Sequence, residues 1–91
     1  MNKLDEIRIK IDELDSEIIK LYEQRMSLVL EVIKYKIENN IPILDNSREE
    51  TMLAKNLLKI SSEEYKKYYI HVLKGFLTAS KEMQADILNK K

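Results

Sequence analysis

Apolar residues fall at Leu4, Ile7, Ile11, Leu14, Ile18 and Leu21, then at Leu28, Val32 and Tyr35, in alternating steps of three and four. That spacing returns to one face of an α-helix, and the narrow stripe it draws is of the kind that seals against another helix. Neither Gly nor Pro interrupts residues 4–38, whereas Asn39-Asn40-Ile41-Pro42 favours leaving the helix, so one long first helix is predicted to end near Glu38. The seam has a single break. Arg25 stands at the step between Leu21 and Leu28 where an apolar residue is due.

A second helix is predicted from about Ser47 to Leu58, with Asp45, Asn46 or Ser47 available to cap it and Glu49-Glu50 favourable to its N-terminal dipole. Ser61 and Glu64 offer a capping box for a third helix that continues to about Ile87. Its inner face reads Tyr65, Tyr69, Val72, Leu73, Phe76, Ser80, Met83, Gln84 and Ile87. The prediction is an all-α chain of three helices, long, short and long, in a single domain over residues 1–91.

Length adds a constraint. About 35 helical residues span roughly 50 Å, whereas a compact domain of this size has a radius of gyration near 12 Å. The first helix must therefore overhang its own chain. Exposing its apolar stripe costs about 25 cal/mol per Å², and the same stripe of a second copy is the simplest cover. A small core also favours a partner subunit, so a homodimer is expected.

Sixteen Lys plus Arg balance sixteen Asp plus Glu, which removes the positive field that nucleic-acid binding usually needs. Cys is absent, which excludes disulfides and thiolate metal sites and suits a reducing compartment. The first residues lack the apolar core of a signal peptide, and no run approaches the roughly 20 apolar residues that cross a bilayer, so a cytoplasmic location without membrane partners is expected. His71 is the only imidazole and cannot alone build a metal site or a nucleophile–base pair. No phosphate loop, dinucleotide fingerprint or zinc signature is present, so neither cofactor nor metal is expected.

The chemistry then falls to charges on helix faces. Burying the Arg25 guanidinium without a partner costs several kcal/mol, so an anion is expected beside it, either a carboxylate such as Glu49 or a ligand. Lys36 lies eleven residues on, within about 20° of the same face and roughly 16 Å along the axis. Arg8 lies seventeen residues earlier, about 25 Å away, too far to meet the same small ligand within one chain. If all three serve one site, Arg8 comes from an antiparallel partner; taken singly, Arg8 and Lys36 also fit solvated charges beside a seam. Ser80 and Gln84, four apart on the inner face of the third helix, are either core polar groups bonded locally or ligand contacts. Tyr65, Tyr68 and Tyr69 suit core and interface packing with a wet hydroxyl. Gly75 costs about 1 kcal/mol against Ala in a helix, which suggests a close helix crossing.

Taken together, Arg8, Ile11, Asp12, Leu14, Asp15, Ile18, Leu21 and Arg25, then Val32 and Lys36, then Pro42, Asp45, Arg48 and Glu49, resemble the all-helical chorismate mutase family. Ser80 and Gln84 fall where that family keeps a hydroxyl and an amide on its third helix. The resemblance implies a cofactor-free isomerase that rearranges chorismate to prephenate, as an intertwined homodimer whose first helices pair antiparallel. It further implies that Arg25 and a second copy's Arg8 hold the two substrate carboxylates, with Arg48 and Ser80 assisting. Lys36 and Gln84 would donate to the ether oxygen of the breaking bond, and Glu49 with Asp45 would hold the ring hydroxyl. On the same scaffold, a lyase removing pyruvate from isochorismate is the nearest alternative. A helical dimerisation module without activity is the third, and it predicts that Arg25→Ala affects little beyond stability.

Overall fold

The structure is a computed structural model describing residues 2–43 and 46–89, all three of its elements helical. Helix α1 runs over Lys3–Glu38, α2 over Asn46–Leu57 and α3 over Glu63–Asn89. Each predicted helix is found, with ends shifted by one or two residues.

The N-terminus of α1 is capped by Asn2, whose side-chain oxygen accepts from the Asp5 amide at 2.8 Å, satisfying an amide that would otherwise lack a partner. Asp5 and Glu6 lie in the same turn, where their charge suits the dipole. At the other end the chain leaves α1 through a Schellman turn. Asn40 adopts the left-handed conformation at φ 55°, the Asn40 amide donates to the Ile37 carbonyl at 3.4 Å, and the Ile41 amide donates to the Lys36 carbonyl at 2.9 Å. Asn tolerates this backbone better than other residues with a side chain, and Pro42 just beyond cannot resume the helix.

One predicted cap is corrected, and of the three candidates for another only Asp45 precedes its helix. Helix α3 begins at Glu63, and the Tyr65 amide donates to the Ser62 carbonyl at 3.1 Å, so Ser62 rather than Ser61 precedes the helix and Glu64 falls one place short of a capping box. Helix α2 begins at Asn46; Ser47 is therefore already inside it, and Asp45 lies outside the described residues.

Helix α3 touches both other helices, whereas α1 and α2, among the described residues, do not pack directly on one another. Ile33 of α1 is wholly buried, and Leu73 of α3 retains 2% of its surface. Asn56 of α2 donates to the Tyr69 hydroxyl at 2.9 Å, joining α2 to α3. The inner face predicted for α3 is corrected at two positions: Tyr65 and Val72 are exposed in this chain. Gly75 is also exposed, and a Cβ added there meets nothing within 4 Å, so the expected close crossing does not occur within the chain.

Helix α1 has 36 residues, about 54 Å of rod, and the molecule is 55 Å in its longest dimension with a radius of gyration of 16.8 Å. The overhang predicted from length is thus present. Its stripe of Leu4, Ile7, Ile11, Leu14, Ile18 and Leu21 is exposed, Leu14 at 63%. No helix among the described residues is long and apolar enough to cross a membrane.

The left-handed turn at Asn40 yields a direct test. Asn40→Val should lower stability by about 1–2 kcal/mol, the cost of left-handed backbone for a residue with a branched Cβ, while Asn40→Gly should be neutral or stabilising. Urea denaturation at fixed protein concentration separates the two; equal losses would show that the turn conformation is not what matters.

Candidate active site

Because α1 and α2 each lean on α3 without closing on one another, a cleft is left between them with α3 as its floor. It encloses about 480 Å³, within the range usual for small-molecule sites. Leu28, Val32, Ile43, Met52 and Leu77 supply apolar walls. Into this cleft the fold brings Arg25 and Lys36 from α1, Arg48 and Glu49 from α2, and Ser80 and Gln84 from α3. Six of the eight residues singled out in the sequence therefore share one cavity. Asp45 lies outside the described residues. Arg8, exposed on the overhang near the opposite end of α1 from Lys36, does not line the cleft of its own chain.

Arg25 is half-buried. One of its terminal nitrogens donates to Ser80 Oγ at 2.9 Å, and its guanidinium carbon lies 5.2 Å from the centre of the Phe76 ring, a distance at which the ring face attracts a cation. Ser80 keeps only 7% of its surface and in turn donates to the Phe76 carbonyl at 2.9 Å. The hydroxyl is thereby satisfied in both directions, and it fixes one edge of the guanidinium. The carboxylate partner entertained for Arg25 is corrected: Glu49 instead pairs with Lys81, at 2.9 Å. Arg25 is stabilised within the chain by a hydroxyl and a ring, and a half-buried cation so held still favours an anion.

Lys36 is held by the turn that follows its helix. The reversal at Asn40 carries residues 41–43 back over the end of α1, and the Lys36 ammonium donates to the Ile43 carbonyl at 3.2 Å. A neutral carbonyl orients the ammonium without cancelling its charge. Among the described residues the cleft thus contains four cations, Arg25, Lys36, Arg48 and Lys81, against one carboxylate, Glu49. With low-dielectric walls, such a balance concentrates small anions, and two or more separated cations match a ligand bearing more than one carboxylate. Among the described residues no cluster of His, Cys, Asp or Glu is placed to hold a metal ion, and His71 is exposed.

Lys81 was not singled out in the sequence. A faint signal existed, because it follows Ser80 and precedes Gln84 by one turn, but a lysine at the margin of a helix face usually means only solvation. The Ile43 carbonyl had no signal, since side-chain identity says nothing about where a loop carbonyl points.

Fold and cleft together define an all-helical protein with a cleft lined by cationic and neutral hydrogen-bond donors. Residues 7–85 match the family model described as chorismate mutase type II, a span that takes in all eight predicted site positions. The chain belongs to that family, one of isomerases. It is 48% identical over 50 residues to a chorismate mutase of Methanocaldococcus jannaschii, covering 55% of this chain and 50% of that protein. It is 38% identical over 69 residues to a bifunctional chorismate mutase/prephenate dehydratase of Buchnera aphidicola, covering 76% of this chain and 18% of the relative. With the T-protein of Haemophilus influenzae the identity is 39% over 59 residues, covering 65% and 16%. The matched part of this chain spans half or less of the length of these relatives.

The Arg25–Ser80 contact makes a measurable claim. Ser80→Ala should cost about 1 kcal/mol, the low end for stranding a charged donor that keeps some access to water. Chemical denaturation reads this directly, and a loss within a few tenths would mean that the guanidinium is not held there.

Proposed function

We propose that this chain catalyses the rearrangement of chorismate to prephenate. The observation that carries the reading is the convergence of Arg25, Lys36, Arg48, Ser80 and Gln84 on one cleft in a chain whose family match spans residues 7–85. The substrate carries two carboxylates, an ether oxygen and a ring hydroxyl, and the cleft holds cationic and neutral donors together with a carboxylate acceptor suited to such groups. Arg25 binds one carboxylate, with Arg48 and Ser80 assisting. Lys36 and Gln84 donate to the ether oxygen, and Glu49, with Asp45, accepts from the ring hydroxyl.

In this reaction the carbon–oxygen bond of the enolpyruvyl ether breaks as a carbon–carbon bond forms within the same molecule, and electrons shift around a six-membered array. No proton is transferred, so no general acid or base is needed. The protein's part is to hold the chair-like reactive conformer and to place donors where negative charge grows on the ether oxygen. Gln84 suits this because a neutral amide donates without first being protonated.

The second copy completes the site. The exposed stripe on α1 supports an antiparallel pairing of two first helices, which brings the overhang of one copy along the cleft-bearing half of the other. Arg8, about 25 Å from Arg25 within one chain, would then reach the second copy's cleft and bind the remaining carboxylate. One dimer would contain two such sites.

The test is to add purified protein to chorismate and follow the loss of its ultraviolet absorbance together with product identity. Prephenate should form without added cofactor or metal, and Gln84→Ala should reduce kcat about 10²- to 10³-fold, as loss of one preorganised donor does. Release of pyruvate from isochorismate in place of prephenate formation would favour the lyase, and no turnover in a folded dimer would leave only the dimerisation module.

Sharing of sites has its own signature. Arg8→Ala and Arg25→Ala should each be nearly inactive, yet mixing them under conditions of subunit exchange should restore about a quarter of wild-type activity, because half the dimers are mixed and each contains one intact site. Mixtures no more active than either parent would place both arginines in the same chain's site.

A further inference from the structure

Lys81 has no part in the chorismate contacts assigned above, yet it lines the same cleft. Its ammonium lies 2.9 Å from a carboxylate oxygen of Glu49, with the lysine side chain 48% exposed and the glutamate 28%. The pair bridges α3 to the first turn of α2, two helices already joined by packing and by the Asn56–Tyr69 hydrogen bond. A half-exposed ion pair adds little to stability, so its consequence is local.

Two local effects follow from the contact. A glutamate has three rotatable side-chain bonds and wanders among rotamers, whereas an ammonium fixed across from it favours one of them. Glu49 is also the only carboxylate among the described residues lining a cleft otherwise furnished with cations, and unpaired it would repel a dicarboxylate ligand. An ammonium in contact with it removes most of that repulsion while leaving carboxylate lone pairs able to accept. Lys81 is suitably mounted for this, one residue after Ser80 and one turn before Gln84, on the helix that floors the cleft.

We propose that Lys81 is a positioning residue, holding the Glu49 carboxylate where it accepts a hydrogen bond from the ring hydroxyl of the substrate and screening it from the substrate's own carboxylates. The proposal rests on the chorismate reading of the cleft. It assigns Lys81 no contact with substrate; the residue acts through Glu49.

The experiment is steady-state turnover of chorismate by the wild-type dimer, Lys81→Met, Lys81→Arg, Glu49→Gln and the double variant Lys81→Met with Glu49→Gln, with circular dichroism and melting as controls on the fold. The ring hydroxyl sits on the carbon next to the one that loses the ether oxygen, but its own bond neither breaks nor forms in the rearrangement. It carries little of the developing charge, so its contact is made to a similar extent in the ground and transition states. Lys81→Met should therefore raise KM about fivefold, the upper end of what a half-exposed ion pair delivers, with kcat within about twofold. Lys81→Arg should restore KM. In the Glu49→Gln background, Lys81→Met should add no further increase, because the residue through which it acts has already lost its charge. An unchanged KM in Lys81→Met overturns the proposal, as does an equal increase with and without Glu49→Gln, or a loss confined to kcat. Lys81→Gln replaces Lys81→Met should the latter melt early. Wild-type protein that leaves chorismate intact overturns the reading of the cleft and this proposal together, whereas active wild-type protein indifferent to Lys81→Met overturns this proposal alone.

Discussion

A guanidinium set in an apolar helical seam has to be satisfied, and nearly everything else about the site follows from how that is done here. Arg25 sits between Leu21 and Leu28 on α1, and its fork has more donors than one hydroxyl can absorb. Ser80 takes one N–H, and the Phe76 ring lies beneath the charge. Both belong to α3, so the interaction that makes the arginine tolerable also ties the first helix to the third. The price is a cation whose strongest partner, a carboxylate, is not provided by the described part of its own chain. The side chain that links the two helices is thus also the one proposed above to bind an anion.

The division of labour among the helices reflects their rigidity. Arg25 and Lys36 are placed by a long uninterrupted rod, and Ser80 and Gln84 by another, with a local brace for each of three: the Phe76 carbonyl for Ser80, the Ser80 hydroxyl for Arg25 and the Ile43 carbonyl for Lys36. Groups that must meet developing charge benefit from such bracing, because donors already in position need not reorganise as the reaction proceeds. The shorter α2 contributes Arg48 and Glu49 and is held mainly through α3.

Helical periodicity made the three rods legible, since a repeat of three and four over 30 residues admits few other shapes. The exit from α1 was legible too, because Asn39-Asn40-Ile41-Pro42 combines a residue tolerant of left-handed backbone with one that cannot continue a helix. Arg25 could be singled out because a charge in a seam violates the pattern that surrounds it. Lys81 violated nothing: a lysine at the edge of an amphipathic face is what solvation predicts, and only the seating of α2 decides that this edge borders a cleft. The same unknown misdirected Glu49, whose pairing depends on which of two cations lies nearer once α2 docks. Gly75 misled for another reason. Glycine is permissive toward close approach without requiring it, and here its surroundings are open within the chain.

The rod that extends past its own bundle has a thermodynamic corollary. Order in this chain is made mostly along each helix, with modest packing between distant segments, and a 36-residue helix with one greasy edge in water gains little from tertiary burial on its own. On the pairing proposed above, much of the free energy that keeps α1 straight is supplied by association, which makes it subject to mass action. On that pairing, dilution loosens the scaffold and the cleft it frames in one step, and the melting temperature becomes a property of the solution as much as of the molecule.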